Sequence, residues 1–358
     1  MARVGVSRTV VLPSRRVLRV SRPDVSRTFD VRVAAVSAAL LAVICVGGAV
    51  SVGVGDFPVP LADVVPAVFG YGDADALFIV NTLRLPRVLT AVLVGAAFGL
   101  SGAVFQSLAR NPLASPDIIG VNAGAAAVAV LVIVVVGGTA TQIALGALAG
   151  ALATALAIYL LAYRRGVTGY RLVLVGIGVT AMLSSVTSYL LTRAEVFQAQ
   201  RATVWLTGSL NARAWEHVRP VAVALAVLLP LTFALGRHLR ALQLGDDAAR
   251  GLGTRVETAR AGLMLSGVGL AAVATASAGP VAFVALVSPQ IARRLARGGT
   301  AALGPAALSG AALVLLSDLV ARRLFAPTEL PVGVITAVLG APYLIWLLAR
   351  ANRIGRAG

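Results

Sequence analysis

The chain has 358 residues, of which 58% are hydrophobic and 13% charged, with a mean hydropathy of +0.90. Soluble domains carry about 25% charged residues, so this balance excludes an ordinary soluble globular domain and points to a membrane protein. The formal net charge of +17 does not indicate nucleic-acid binding. Its basic residues are all arginine and lie scattered in short gaps between apolar runs, the distribution by which membrane proteins set their orientation.

Residues 1–32 are polar and hold eight arginines against Asp24 and Asp30. The segment is too long and too basic for a signal peptide, and no small-residue cleavage site follows the first apolar run. Arg15-Arg16 lie too far ahead of that run for a twin-arginine signal. The segment reads as a cytoplasmic tail. The run 33–54 is the first spanning helix, because about 20 apolar residues cross a bilayer. It contains Cys45, the only cysteine. With no partner for an intrachain disulfide, Cys45 reads as a small core residue.

Residues 55–83 hold Asp56, Asp63, Asp73 and Asp75 and no arginine. The motif RLPR at 84–87 opens the second helix, 88–108, which ends at the polar turn Arg110-Asn111-Pro112-Leu113. The third helix is expected over 118–137 and the fourth over 141–163, followed by Arg164, Arg165 and Arg171. The fifth spans 172–192. A polar segment, 193–217, carries Trp205-Leu206-Thr207-Gly208 before the sixth helix at 218–235. The charged segment 237–260 contains Asp246, Asp247 and Glu257. The seventh helix, 261–277, is broken by Gly279-Pro280. A short eighth, 281–291, contains Pro289 and leads to Arg293-Arg294. The ninth and tenth are expected at 303–320 and 332–348. This gives a tail at 1–32, a ten-helix domain at 33–350 and a short cytoplasmic end at 351–358.

Ten crossings put both termini on one side. Twenty-three of the 31 arginines then fall on that side, which the positive-inside bias assigns to the cytoplasm. The glycine pairs Gly95/Gly99 and Gly146/Gly150 let neighbouring helix backbones approach closely within the chain. The fold class expected is all-α and integral to the membrane.

Several chemistries are absent. Without lysine there is no GxxxxGK[ST] phosphate loop. His217 and His238 sit at helix ends, with no HExxH, and read as satisfied interfacial histidines. No serine lies in a GxSxG context. Asp318, near the outer end of the ninth helix, is the one carboxylate expected within a spanning segment. An ion-coupled carrier is expected to bury carboxylates at mid-membrane. An intramembrane enzyme would need a catalytic constellation, and none is visible.

Four ordered blocks then point to one family. They are RLPR…GLSGAVFQSLARNPLASPDIIGVNAGA from 84, GDDAARGLGTRVETAR at 245–260, GPVAFVALVSPQIARRL at 279–295, and LLSDLVARRL…ELPVGVITAVLGAPYLIWLL at 315–348. The chain resembles the FecCD-type permease subunit of ABC importers for ferric siderophores, haem and cobalamin. The resemblance implies a type II ABC importer permease of about ten helices with no catalytic, metal or cofactor site of its own. It further implies a second permease subunit, two cytoplasmic ATPases that bind the ATP, and an extracytoplasmic binding protein.

Residue by residue, it implies that Arg84, Arg87 and Arg322 dock the binding protein, with Arg323 a weaker candidate. The alternative is that these arginines anchor helix ends at headgroups. It implies that the segment around Leu244, Gly245, Asp246, Ala249, Gly251 and Gly253 is a short helix that enters the ATPase. The sequence reading caps this helix near Asp246 and ends it at Gly251 and Gly253. Asn111 and Leu113 match the inner gate, whose second layer falls at Gly169 and Tyr170, where relatives commonly carry small hydroxyl residues. Gln290 stands where a histidine often follows the proline. Ser184, Ser185, Thr187 and Ser188 line the pathway or bond back to their own helix. The expected cargo is a ferric siderophore, with cobalamin or haem as alternatives.

Overall fold

A computed structural model describes residues 10–12, 15–22, 25–55, 57–117, 120–163, 169–297 and 302–354. Within the tail, where the sequence reading assigned no element, three strands form an antiparallel sheet in the order β1-β2-β3. They are β1 (Val10–Leu12), β2 (Arg15–Arg22) and β3 (Val25–Asp30), with Leu18 opposite Phe29. The pairing gives backbone groups in this short polar stretch hydrogen-bond partners without a helix. The last residue of the sheet starts the helical body. The Asp30 carboxylate accepts from the amides of Arg32 at 3.0 Å and Val33 at 3.4 Å, capping the N-terminus of α1 (Val31–Gly53).

Among the described residues, everything after β3 is helical or connecting. Short helices α2 (Leu61–Val68) and α3 (Ala74–Phe78) follow α1. A π-helical turn, Ile79–Arg84, joins α3 to α4 (Leu85–Leu108), so that Ala74–Leu108 is one rod of 35 residues. Pro86 has no N–H with which to continue the i→i−4 ladder, and the wider π turn lies immediately before it. Next come α5 (Val121–Leu131), prolonged by a π-helical Val132–Val136, and α6 (Ala140–Ala162). Thr139 and Gln142 close a capping box on α6. The remainder are α7 (Gly169–Arg193), α8 (Val196–Leu206), α9 (Trp215–Gln243), α10 (Asp246–Gly251), α11 (Val256–Ala278), α12 (Val284–Ala296), α13 (Leu303–Arg323) and α14 (Val332–Ile354).

Among the described residues, seven helices are long and apolar enough to cross a membrane: α1, the α3–α4 rod, α6, α7, α9, α11 and α13. The shorter apolar helices Val121–Val136 and Val332–Trp346, with the 13-residue α12, complete the ten segments read from hydropathy. The third of these begins at Val121; Ile118 lies outside the described residues. The tenth runs on to Ile354, into the stretch expected to be a terminal end.

Helix α4 is the centre of the bundle, packed by α9, α11, α12 and α13. Its small residues permit this. A methyl group on Gly95 would lie 2.3 Å from the Gly310 carbonyl oxygen of α13, and one on Gly102 would lie 1.7 Å from the Ala285 carbonyl of α12. Such backbone contact is how helices associate where lipid removes the hydrophobic drive. Gly150 meets the Gly124 carbonyl in the same way, at 2.3 Å. Both glycine pairs therefore pack inside the chain, as read. Cys45 corrects the sequence reading, being exposed on α1 and not in a core. Most of α1 faces outward, and a small apolar thiol is as suited to lipid as to a protein interior.

Candidate transport machinery

At the end of the bundle where α4 begins, the three expected docking arginines are already occupied. Arg84 is buried. Its Nη1 donates to the carbonyls of Val52 at 2.7 Å and Gly53 at 3.2 Å, and its Nη2 to Phe57 at 2.5 Å. Val52 and Gly53 belong to the last turn of α1, whose carbonyls have no partner within the helix. A guanidinium there caps it and complements its dipole. Arg87 grips Asp318 through Nε and Nη2, the shortest contact being 2.9 Å, and reaches Glu329 with Nη1 at 2.9 Å. Arg322 pairs with the other side of Asp318 at 3.2 Å and bonds Ser51. Asp318 is only 1% exposed. It thus joins α4 to α13 as a shared counter-ion, which its place near a helix end did not reveal. Arg323 is exposed, its Nη2 3.4 Å from the Gly55 carbonyl.

At the opposite end of α4 the chain turns through Arg110, whose φ of 49° lies in the left-handed region. Asn111 Oδ1 accepts from the Leu113 amide at 2.9 Å, and the Asn111 carbonyl accepts from the Ala114 amide at 3.1 Å. This is the side-chain-mimicked turn that Asn favours. Asn111 and Pro112 are exposed and Leu113 is half-buried. Beneath the turn, the buried Gln290 of α12 donates from Nε2 to the Pro112 carbonyl at 2.6 Å and lies 3.3 Å from Gln106 Oε1. Gln106 donates to the Leu286 carbonyl at 2.9 Å and accepts from Arg293. Gly169 and Tyr170 open α7, but their side chains lie outside what is described.

Beside this turn stands α10. Its N-cap is Gly245 with φ 115°, and Asp246 falls in the first turn. The left-handed Gly253, φ 77°, follows the helix. Leu244, Asp247, Arg250, Gly251 and Leu252 are exposed, whereas Ala249 is buried and seats the helix on the bundle. Arg260 of α11 holds the Asp246 carboxylate at 2.9 Å to each oxygen. Arg110 donates to the Leu242 carbonyl at the end of α9 at 2.8 Å and lies 3.4 Å from Asp246. The turn at Arg110 and the short helix are therefore linked directly. The roles of Arg110, Gln106 and Glu329 escaped the sequence reading because their partners are distant in the chain; Gln106 and Leu286 are 180 residues apart.

Deeper in the connection from α4 to α5, Asp117 accepts from the Asn122 amide, and Asn122 Oδ1 accepts from Thr275 Oγ1 at 2.7 Å. Burial lifts the Asp117 pKa to about 6, against the opposing effect of the Asn122 hydrogen bond. Of the four hydroxyl residues read on α7, Ser185 and Thr187 bond back to the carbonyls of Ala181 and Leu183 at 3.0 and 2.9 Å. Thr187 is buried, whereas Ser184, Ser185 and Ser188 are exposed. His217 Nδ1 accepts the Ala214 amide at 3.3 Å, and His238 Nε2 lies 3.2 Å from Arg237 Nε. Among the described residues no group of three or more His, Cys, Asp and Glu could hold a metal ion.

The model of the FecCD transport family matches residues 40–350. The chain belongs to the FecCD transport family. It is 45% identical over 292 residues to the ferric enterobactin transport system permease protein FepG of Escherichia coli (strain K12), covering 82% of this chain and 88% of that one. The achromobactin permease CbrC of Dickeya dadantii (strain 3937) is 42% identical, with 88% and 91% covered. A solved metal-chelate type ABC transporter in an inward-facing conformation superposes with a TM-score of 0.80 at 27% identity, covering 88% of this chain and 99% of that one. PsaBC from Streptococcus pneumoniae, at 15% identity and a TM-score of 0.54, shares the fold. As a FecCD member the chain is a multi-spanning permease subunit of an ABC importer, not itself an enzyme. It works with separate ATPase and binding-protein partners.

Proposed function

We propose that this FecCD permease imports a ferric siderophore by alternating access, paired with a second permease subunit and with both termini in the cytoplasm. The observation that carries the cargo is the 45% identity to a ferric enterobactin permease over 82% of the chain, with achromobactin and iron(3+)-hydroxamate permeases at 42% and 40%. In this reading α10 is the coupling helix. Leu244 and Leu252, which flank it and are exposed, lie outside the spanning helices, where two bare leucines favour a protein partner. The turn 111–113 is the inner gate, with Gly169 and Tyr170 in its second layer. Arg110 ties that turn to the helix that receives the ATPase stroke.

Docking of the binding protein takes place over Arg84, Arg87 and Arg322. Arg84 is committed to carbonyls of the α1 end, so its role is to shape the site. Arg87 and Arg322 share Asp318, Arg87 also holds Glu329, and an incoming carboxylate exchanges with the half-exposed Glu329. Such exchange keeps docking reversible, because the pairs broken and made are alike.

The test is uptake in cells with and without this chain, offered labelled ferric catecholate, ferric hydroxamate, haem and cobalamin in parallel. Loss of a ferric siderophore alone is expected. Loss of cobalamin or haem uptake instead would overturn the cargo while leaving the mechanism.

A further inference from the structure

We propose that Gln290 is the residue that positions the gate turn, tying the Pro112 carbonyl to α12 so that turn and helix move as one body. The inference rests on the reading of 111–113 as the gate. With Asn111 and Pro112 exposed, side-chain packing alone holds the turn loosely. The Gln290 amide supplies what packing does not, a 2.6 Å bond from a buried donor. A buried donor left unpaired is costly, so the bond is enforced from the Gln290 side as well.

The amide is also fixed in direction. Gln106 Oε1 sits 3.3 Å from the same nitrogen. Gln106 is itself pinned by the Leu286 carbonyl at 2.9 Å and by Arg293. For Gln290 to swing away, this whole buried group must rearrange, and connected polar groups of that kind rigidify their surroundings. The arrangement also accounts for the departure seen in the sequence. A histidine at this position has an N–H at similar reach, so glutamine and histidine offer the same donor to the turn.

The test uses the complete transporter, with Cys45→Ala removing the only native cysteine and Leu113→Cys reporting on the turn. A membrane-impermeant maleimide is applied from the cytoplasmic face in the resting and vanadate-trapped states, and the ratio of the two labelling rates is read. In the Gln290 parent the ratio departs from one. Gln290→Met and Gln290→Leu both remove the donor. Each is expected to bring the ratio roughly three- to tenfold closer to one, the size set by one net buried hydrogen bond. Gln290→His is expected to keep the parent ratio. An unchanged ratio in whichever donor-less variant assembles would overturn the positioning role, as would equal loss in the histidine variant. A parent ratio of one would instead show that 111–113 is not the gate, and so strike the reading beneath.

Discussion

Asp318 shows how much a single side chain carries. At 1% exposure it balances Arg87 and Arg322, both themselves mostly buried. Removing one member of such a group leaves buried charge uncompensated, at a cost of about 3–5 kcal/mol. Asp318→Ala is therefore expected to lower unfolding free energy by about that amount, measured by denaturant unfolding in detergent micelles. A loss below about 1 kcal/mol would mean that the group is solvated like a surface pair. The RLPR motif announced Arg84 and Arg87 as notable, but their neighbours were hidden from the sequence. Arg87 and Asp318 are 231 residues apart, and only the packing of α4 on α13 brings them together.

Asp117 makes the second case at this scale. Its pKa rises from 3.8 to about 6, chiefly through burial. Between those values the folded chain holds a proton that the unfolded chain has lost. Stability therefore falls as pH rises from about 4 to about 6, and the deficit persists above. Melting temperatures of the parent and of Asp117→Asn, compared across pH 4 to 8, are expected to diverge through that window, with the variant the more stable above it. Parallel curves would show that the carboxylate is solvated. Asp117 was missed because it precedes an apolar run, in a connection that hydropathy treats as a loop, where nothing in the sequence shows that it is half-buried.

Among the elements, those that hydropathy detects are the ones legible in the sequence. All ten apolar segments have a helical counterpart, most within a few residues, because a spanning helix must be long and apolar. Helices α2, α3 and α8 went unseen at 8, 5 and 11 residues. They are too short to span, α2 contains Pro66, and α8 is interrupted by Gln198, Gln200, Arg201 and Thr203. Helix α10 was legible only through its motif, and what fixes it was not. Arg260 clamps Asp246 with two 2.9 Å bonds while Arg110 approaches from the turn that precedes Asn111. If α10 transmits the ATPase stroke, loosening this clamp should uncouple it. Asp246→Ala is expected to raise the ATP hydrolysed per siderophore imported by about fivefold or more, the lower end of usual coupling energies. Paired ATPase and uptake assays in proteoliposomes check this. An unchanged ratio would assign the clamp to local stability alone.

For the whole molecule, the question is what each outward face meets. Helices α1 and α7 are both largely exposed in the chain alone, although one apolar exterior suits lipid and another suits a partner or a water-filled path. Their compositions differ. Helix α1 carries Ser37, bonded to the Val33 carbonyl at 2.8 Å, and the buried Ser51. Beyond Arg32 at its N-terminus, the exposed residues along the helix to either side of Cys45 are aliphatic. Helix α7 presents Ser184, Ser185 and Ser188 outward, and Ser185 satisfies its hydroxyl on its own backbone. Back-bonding lets a hydroxyl face lipid, so the composition alone leaves α7 two roles. The native cysteine offers a reference for choosing between them. In the parent, Cys45 is expected to resist a water-soluble maleimide because lipid covers it. In a Cys45→Ala background, Ser188→Cys is expected to react at least about tenfold faster if α7 faces a hydrated pathway, since a thiol must reach water and ionise to react. Equal protection of both would place α7 against lipid or within the permease–permease contact. Cross-linking of Ser188→Cys to the second subunit then distinguishes those two.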